Sequence, residues 1–572
     1  MQSGVDPHSW AAPPPKGLAR FVPLLRWLPG YDRGLLRFDV IAGLTVWGLL
    51  VPEGIAYAGL AGLPPQAGLY TLLASLAAYA IFGTSRHVVC GATSAAAVLL
   101  ASSVAALHPT ATGYAADAAV LVLCVGGLFL LAGLLRLGFI AQFLSRPVVS
   151  CFVFGLAIFV TVKQLPKLFG IEPGTGNTIN QFIHVLTHLG DAHGATVAVG
   201  LGSLALLFAA ERLTPKVPAG LLLLVLGIVV SGLLSLSSHG VAIVGHVPSG
   251  LPKPGIPSIS TDDFLALLVA SGGIMLVIFS ESLGAANTFA LKHGYEIEPN
   301  RELVALGVAN AGSGLVGGLA AGGSLSQSAV SEGAGSRSEM SSLVAAVLIV
   351  VTVLLLTPVF KNLPEAALGA LVIHAVSHLF RARPMLHLYK ERRVEFVLGL
   401  ATLLGVIAID VLTGLIIGVV AMQLLVIYQA SRPRIARLGR YPGESDAFGA
   451  IDRHPECVAV DGMMLLRLEA PVLYSNAAPL RDHIKRLVGE ADPTPRVVVL
   501  EIGANEDLDV TSAEVLDELV KTLQAANVAF GLADVRDQVL DRAKRTGLLA
   551  TIGEGRVFHT LDEAITAFAV HW

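Results

Sequence analysis

The chain has 572 residues, of which 54% are hydrophobic and 14% are charged, and its formal net charge at pH 7 is −4. Soluble domains carry roughly 25% charged residues, so this composition excludes an ordinary soluble protein and indicates a membrane protein with several spans. The small negative charge argues against a nucleic-acid partner. The cysteines show no spacing typical of zinc ligands or disulfides, and we interpret them as small buried hydrophobic residues. They are Cys90, Cys124, Cys151 and Cys457.

The N-terminal stretch, residues 1–37, contains several prolines and arginines and is predicted to be a cytoplasmic arm. It has no short apolar core followed by a cleavage pattern, so we expect no cleavable signal peptide. A transmembrane transport domain is predicted over residues 38–430. A full helical span needs roughly 20 residues. The predicted segments are 38–59, 66–84, 91–107, 117–136, 144–166, 195–212, 216–236, 263–287, 300–319, 323–335, 341–360, 363–379, 393–410 and 411–430.

The basic residues indicate how these fourteen segments are oriented. An even number of segments places both chain ends on one side of the membrane. The loops and termini on that side hold most of the lysine and arginine, whereas the opposite loops hold only Lys167, Lys253 and Lys361. Cytoplasmic loops carry an excess of basic residues. The sequence therefore predicts a multi-pass protein of the cell membrane with both termini in the cytoplasm.

Two of the segments are interrupted by small polar residues. Gly91 to Ser94 opens the short third segment, and a break at Gly322–Gly323 is followed by a short helix in the tenth. These are the third segments of two predicted repeats, 38–236 and 263–430, and an odd number of spans per repeat inverts the second relative to the first. The two broken segments are therefore expected to approach each other from opposite faces.

Such helix starts favour anions, because their backbone N–H groups are unpaired and the helix dipole attracts negative charge. A transporter must also release its ligand, which neutral donors permit. The alternative is that the small residues only allow close helix packing. The predicted substrate-binding residues are Gly91, Ala92, Thr93, Ser94, Gly323, Ser324, Leu325, Ser326, Gln327 and Ser328.

Two carboxylates, Glu53 and Glu281, lie inside predicted spans, where a charged side chain costs roughly 2.5–3.5 kcal/mol on insertion scales. They are candidates for coupling to a proton or a sodium ion, with Glu281 preferred. The alternative for each is a structural hydrogen bond. We find no nucleophile–base pair, metal-ligand spacing or phosphate loop, so neither an enzyme nor a cofactor is predicted. His374 and His378 lie near a helix end and are interpreted as interfacial residues.

Beyond Tyr428 the chain becomes charged, and residues 440–572 are predicted to form a small cytoplasmic α/β domain. Strands alternate there with helices, a pattern typical of a sheet covered by helices. The predicted strands are Met463–Leu468, Arg496–Glu501 and Phe530–Leu532, and the predicted helices are Ala477–Val488, Ser512–Ala526 and Val535–Thr546.

Several motifs resemble those of the sulfate permease family, also called SulP or SLC26, over about residues 30–570. The run Ser324–Ser328 followed by Gly333–Gly335 resembles that family's tenth segment, and Leu508–Ser512 resembles the strand-to-helix turn of a STAS domain. The motifs of the first segments are Asp39–Thr45, Val51–Ala58, Ala61–Pro65, Gly68–Tyr70 and Phe82–Arg86.

The resemblance implies an all-α polytopic domain of seven plus seven inverted segments, divided into core and gate subdomains. It also implies elevator-type anion transport and a homodimer. Many members of the family carry Arg where this chain has Gln327. Without that charge the site offers dipoles and hydroxyls, unless Lys163 or a bound cation contributes, and a co-transported proton or sodium ion becomes more plausible.

The STAS-like turn differs from that of soluble STAS regulators, in which a phosphorylated Ser follows the Asp. Here Val510 follows Asp509, although Thr511 and Ser512 remain candidate targets. The alternative is that Asp509, Thr511 and Ser512 simply hold a helix start.

The function predicted from these observations is proton-coupled secondary transport of sulfate or bicarbonate, or else of a dicarboxylate. Two rivals remain open. One is a nucleobase permease of the same inverted architecture, and the other is a membrane sensor that signals through its STAS domain without transport.

Overall fold

The computed structural model describes residues 22–105, 113–139, 145–213, 218–255, 257, 261–380, 382–443 and 447–570. It divides into two compact units, with the boundary between Met422 and Gln423. The arm predicted over residues 1–37 lies largely outside the described residues, which begin with Val22.

The first unit is mostly helical. Among the described residues, eight helical stretches are long and apolar enough to cross a membrane by length and composition, and the apolar helices Ser94–Ala105, Ala219–Leu233 and Glu365–Ser377 are shorter. In chain order the helices are α1 (Leu24–Trp27), α2 (Leu36–Leu60), α3 (Pro65–Phe82), α4 (Ser94–Ala105), α5 (Tyr114–Leu134), α6 (Arg146–Phe169), α7 (Thr178–Thr187), α8 (Gly194–Leu213), α9 (Ala219–Leu233), α10 (Thr261–His293), α11 (Pro299–Leu315), α12 (Leu325–Gly333), α13 (Met340–Val351), α14 (Glu365–Ser377), α15 (Ala382–Glu391), α16 (Arg393–Ala408) and α17 (Val411–Ala430).

Each of the fourteen predicted segments overlaps one of these helices. Three others, α1, α7 and α15, were not predicted, and α7 and α15 are polar enough to escape a search for apolar runs. The eleventh segment is not a single α-helix, because α13 continues as a π turn over Thr352–Leu356 and a 3-10 turn over Thr357–Asn362. Pro358 lies at this change, and its missing N–H cannot continue the α-helical hydrogen-bond ladder.

Helices α2 and α3 approach each other closely at two glycines. The backbone carbonyl of Gly54 occupies the place that a Cβ atom on Gly68 would take. Only glycine at position 68 permits this contact without moving one of the helices. The contact brings α3 against the turn of α2 that carries the buried side chain of Glu53.

Two short strands, β1 (Val89–Ala92) and β2 (Ala321–Ser324), pair antiparallel inside the first unit. The all-α prediction did not include this pairing, since both strands are four residues long and consist largely of small residues. Their backbone groups are nevertheless buried, and buried N–H and C=O groups require partners. The pairing supplies those partners where the two helical segments are interrupted.

The second unit is an α/β domain with one six-stranded sheet in the order β4-β3-β5-β6-β7-β8. Strands β5 to β8 are parallel, and β3 is antiparallel to its neighbours. The strands are β3 (Ile435–Arg440), β4 (Phe448–Ala450), β5 (Met463–Leu468), β6 (Val497–Glu501), β7 (Ala529–Ala533) and β8 (Val557–Phe558). The helices are α18 (Ala477–Glu490), α19 (Val510–Ala525), α20 (Asp537–Thr546), α21 (Leu548–Ile552) and α22 (Leu561–Val570).

All three predicted strands and all three predicted helices of this unit are present. The run Val497–Leu500 is buried at every position, as expected for a central parallel strand covered by helices on both faces. The sequence analysis missed β3, β4 and β8, which lie toward the sheet edges, and the helices α21 and α22.

Candidate anion-binding site

The strand pairing joins the two interrupted segments. Val89 lies opposite Ser324, and Ala92 lies opposite Ala321. Helix α4 begins two residues after Ala92, and α12 begins directly after Ser324. Because the strands are antiparallel, the two helix starts follow opposite ends of the ribbon, roughly 10 Å apart at about 3.4 Å per residue. The predicted residues of both segments therefore belong to one region, although 230 residues separate them in the sequence.

The first turn of α12 also reaches back to β1. The side-chain amide of Gln327 donates a hydrogen bond to the carbonyl of Ala92 (3.2 Å), and the Ser328 hydroxyl accepts one from the N–H of Val89 (2.9 Å). The Ser328 hydroxyl donates in turn to the carbonyl of Ser324 (2.5 Å). Ser328 is fully buried and committed to these contacts. It therefore holds the ribbon together and is less suited to contacting a ligand.

The hydroxyl-bearing residues at the helix starts have distinct roles. Ser324 caps α12 by accepting from the N–H of Gln327 (3.4 Å), and Thr93 accepts from the N–H of Ala96 (3.2 Å) in the first turn of α4. The hydroxyls of Ser324 and Ser326 lie 3.0 Å apart, and Ser326 is exposed. Of the predicted serines, Ser326 is thus the most accessible donor.

The remaining predicted residues of the two clusters contribute through their backbone or their size. Gly91, Ala92 and Gly323 are buried in the strand pairing, and Ser94 is half-buried at the start of α4. A Cβ atom on Gly91 would lie 3.0 Å from the Leu72 side chain and 3.3 Å from Oε1 of Gln327, so position 91 has little room for a side chain. Leu325 is 42% exposed at the first position of α12.

Glu53 lies against α12. Its carboxylate accepts a hydrogen bond from the amide of Gln327 (2.8 Å), and both side chains are buried. The other amide atom, Oε1 of Gln327, is buried and has no hydrogen-bond partner among the described residues. The structural hydrogen bond that the sequence analysis offered as the alternative for Glu53 is therefore present.

Glu281 occupies a different position, on α10. No hydrogen-bonding partner of its carboxylate occurs in the part of the chain that the structure describes. Glu281 borders a small crevice with Val149, Phe152, Val153, Val277, Ser280 and Leu415.

Three supporting residues were missed by the sequence analysis. The Ser282 hydroxyl accepts from the N–H of Gly323 (2.7 Å), so α10 holds β2 directly beside Glu281. Asn310 of α11 accepts from the N–H of Ala321 (2.9 Å) and donates to its carbonyl (2.9 Å). Thr71 accepts from the N–H of Leu319 (2.6 Å). The sequence signal that could have identified one of these residues is Asn310, a polar side chain within a predicted apolar segment.

Lys163 makes a local contact. Its ammonium group lies 5.0 Å from the centre of the Phe159 ring, one turn earlier on α6. No contact between Lys163 and the predicted substrate-binding residues occurs within the described ranges. Lys163 therefore supplies no fixed positive charge to the predicted substrate-binding residues in this conformation.

The STAS-like turn in the second unit is a helix cap. Asp509 accepts from both the N–H (2.9 Å) and the hydroxyl (2.6 Å) of Ser512. Burial raises the pKa of the Asp509 carboxyl, but the hydrogen bonds from Ser512, together with those from the backbone of Tyr474 and of Asp509 itself, outweigh burial and lower the pKa below its ordinary value. Ser512 is fully buried whereas Thr511 is exposed. Of the two candidate phosphorylation targets, only Thr511 is accessible.

The comparisons with known proteins agree with this architecture. Residues 36–402 match the sulfate permease family, and residues 454–564 match the STAS domain. The chain is 35% identical over 552 residues to a protein named as a probable sulfate transporter of Mycobacterium tuberculosis, which covers 95% of this chain and 98% of that protein. The chain therefore belongs to the sulfate permease family and carries a C-terminal STAS domain.

Two solved structures share its fold. One is the murine Solute Carrier 26 family member A9 anion transporter in the inward-facing state, with a TM-score of 0.89, 21% identity and coverage of 100% of this chain and 96% of that chain. The other is the transmembrane domain of a cyanobacterium bicarbonate transporter, BicA, with a TM-score of 0.59, 20% identity and coverage of 68% and 98%. The predicted fold class and family are thus confirmed. Members of this family are membrane transporters, which are not enzymes.

Proposed function

We propose that this protein is a secondary active transporter of small inorganic anions, with sulfate or bicarbonate as the substrate. The observation that carries the proposal is the β1–β2 pairing, which brings the starts of α4 and α12 into one region. The side chain of Gln327 in α12 also donates a hydrogen bond to the carbonyl of Ala92 in β1. The family description and the name of the mycobacterial relative favour sulfate. The fold shared with BicA supports bicarbonate as a second candidate.

In this proposal the anion contacts neutral donors. The backbone N–H groups at the start of α12 favour negative charge, and the accessible hydroxyl of Ser326 adds a donor. Thr93 lies at the start of α4, at the other end of the ribbon. Thr93 and Gln327 are buried as well, and the buried residues Gly91, Ala92, Gly323 and Ser328 shape the ribbon. Weak neutral donors suit a carrier that must release its ligand.

Coupling to a proton, or to a sodium ion, is assigned to Glu281. A carboxylate buried in a membrane span favours its protonated form unless it has a partner or a wet cavity. Glu281 directly precedes Ser282, which holds the N–H of Gly323 in β2. A change in the charge of Glu281 would therefore act next to the ribbon. Glu53 supports the site by accepting a hydrogen bond from the side-chain amide of Gln327.

The remaining parts of the proposal concern architecture. The transport domain covers residues 38–430, in repeats 38–236 and 263–430, and the STAS domain covers residues 440–572. Both termini of each subunit lie in the cytoplasm. The protein forms a homodimer in the cell membrane. The core of each subunit slides against a gate scaffold in an elevator-type cycle and carries the anion with it.

Uptake into proteoliposomes tests the proposal. Purified protein is reconstituted, and uptake of radiolabelled sulfate, bicarbonate, fumarate and uracil is measured with and without an inward proton gradient. We expect saturable uptake of sulfate or bicarbonate that increases when the outside is acidic. Uptake of uracil alone would favour the nucleobase permease. No uptake of any solute by folded protein would favour the membrane sensor.

A further inference from the structure

A cluster of three side chains lies at the ends of two neighbouring helices, away from the ribbon. Glu211 is in the last turn of α8, and His374 and His378 are one turn apart at the end of α14. Nε2 of His374 lies 2.9 Å from one Glu211 carboxylate oxygen, and Nε2 of His378 lies 3.7 Å from the other. The two histidines were predicted to be interfacial residues, and their approach to Glu211 could not be predicted because Glu211 lies 163 positions from His374 in the chain.

The spacing of these atoms is close to that around a bound metal ion. One ligand atom from each residue can be chosen so that all three lie within 4.8 Å of one another. Zinc bonds of about 2.0–2.1 Å in a tetrahedron separate neighbouring ligand atoms by roughly 3.3 Å. The two observed distances, 2.9 and 3.7 Å, run to different oxygens of the Glu211 carboxylate and lie on either side of that value. A metal ion held by one of these oxygens and both Nε2 atoms would therefore require the side chains to rotate.

The ligand types indicate the kind of metal. Calcium and magnesium prefer oxygen ligands, whereas imidazole suits zinc, copper, nickel and iron. Two histidines separated by four residues on one helix face, with a carboxylate from elsewhere, form a ligand set that zinc sites use. Two imidazoles and one carboxylate leave the fourth tetrahedral position for water.

The surroundings orient the ligands and leave them accessible. The ring of Phe208, one turn before Glu211 on α8, packs edge-on against His374 with the ring centres 4.9 Å apart. The side chain of His374 is 12% exposed, whereas those of Glu211 and His378 are about half exposed. One ligand is thus held in place while the other two can accept an ion from solution. In the proposed topology this end of both helices faces the cytoplasm.

We infer that Glu211, His374 and His378 form a binding site for a divalent transition metal of the zinc type, which links α8 to α14. The site is distinct from the proposed anion site, whose residues are on other helices. A metal bound to the folded protein stabilises it by mass action, so the thermal midpoint rises with the concentration of metal.

The test uses full-length protein in detergent, purified without a histidine tag and treated with a chelator. Zn²⁺ binding is measured by competition with a chromophoric chelator, and Mg²⁺ serves as the comparison ion. We expect Zn²⁺ to occupy a high-affinity site, to raise the thermal midpoint, and not to be displaced by Mg²⁺. His374→Ala, His378→Ala and Glu211→Gln should each weaken binding by at least about 100-fold, since the loss of an outer-shell partner alone costs about 10–100-fold.

A second histidine pair supplies the matched control. His184 and His188 are also one turn apart at the end of a helix, with ring centres 4.0 Å apart, but no acidic residue completes a three-ligand group with them among the described residues. The double change His184→Ala/His188→Ala should leave Zn²⁺ affinity unchanged. Equal losses in both sets of variants, or binding that survives all three ligand changes, would overturn the inference and leave the cluster as an ordinary ion pair. Because His378 and Glu211 are half exposed, their variants remain informative even where His374→Ala fails to fold.

Discussion

The side-chain amide of Gln327 donates a hydrogen bond to the carboxylate of Glu53 across 2.8 Å in the buried interior of the first unit. The two residues are 274 positions apart and belong to different predicted repeats. The same amide contacts the carbonyl of Ala92 at the end of β1. Gln327 therefore connects α2, β1 and α12.

Because Gln327 and Glu53 are in contact, the effect of changing one of them on stability and uptake should depend on the identity of the other. Gln327→Glu places two carboxylates in a buried contact, so we expect a lower thermal midpoint and reduced uptake. Adding Glu53→Gln restores an amide opposite a carboxylate, and we expect partial recovery of both. The coupling energy between the two changes should fall at about 1–3 kcal/mol, the upper part of the range for contacting residues. Thermal midpoints of the four proteins measure it, and strictly additive effects would contradict the contact.

Ser326 is expected to be sensitive to bulk. Ser326→Leu fills the space beside the accessible start of α12 and removes a hydroxyl donor, so uptake should fall to background while the protein stays folded. Ala329→Leu adds similar bulk one turn further along the same helix, at another exposed position, and should retain uptake. Size-exclusion profiles and sulfate uptake of both variants check this. Normal uptake by Ser326→Leu would remove the site as proposed.

Glu281 is expected to control the response to a proton gradient. Glu281→Gln cannot bind and release a proton, so uptake driven by the anion gradient should persist while stimulation by outside acid is lost. Glu172→Gln, at an exposed position outside the predicted spans, is the control and should retain the stimulation. Uptake is measured over a series of outside pH values at a constant inside pH. An unchanged pH response in Glu281→Gln would assign coupling to another residue.

Asp509 is expected to stabilise the first turn of α19. Asp509→Ala removes the cap, which costs about 0.5–2 kcal/mol, whereas Asp509→Asn retains an acceptor and should cost less. Hydrogen exchange of α19 in the full-length protein at neutral pH should be fastest in Asp509→Ala. Equal exchange in all three proteins would show that the cap contributes little.

The same carboxylate predicts a pH dependence with a definite sign. Its pKa is lower in the folded protein than in the unfolded chain, because the hydrogen bonds from Ser512 and from the backbone of Tyr474 and Asp509 together outweigh the effect of burial. Its contribution is therefore complete above the unfolded pKa and is lost as the pH falls through the folded pKa. The difference in exchange between wild type and Asp509→Asn should be constant near neutral pH and shrink only in acid below about pH 4.

Local patterns in the sequence were enough to locate most of the elements. Apolar runs predicted the fourteen segments, and glycines and serines located the two interruptions. The apolar run within Arg496–Glu501 predicted a strand, and the structure has β6 there. These features depend on residues within one helix or strand, so the local pattern of a single sequence is enough to predict them.

Only the tertiary structure decided which distant residues meet. The pairing of Val89 with Ser324, the hydrogen bond of Gln327 to Glu53 and the approach of Glu211 to His374 all join residues more than 150 positions apart. Helix packing sets such contacts, and no local periodicity encodes which residue a buried amide or imidazole will face. The sequence by itself determined where the two helical segments are interrupted. The packing of the helices determined that the two breaks form one ribbon, because their buried backbone groups had to find partners in each other.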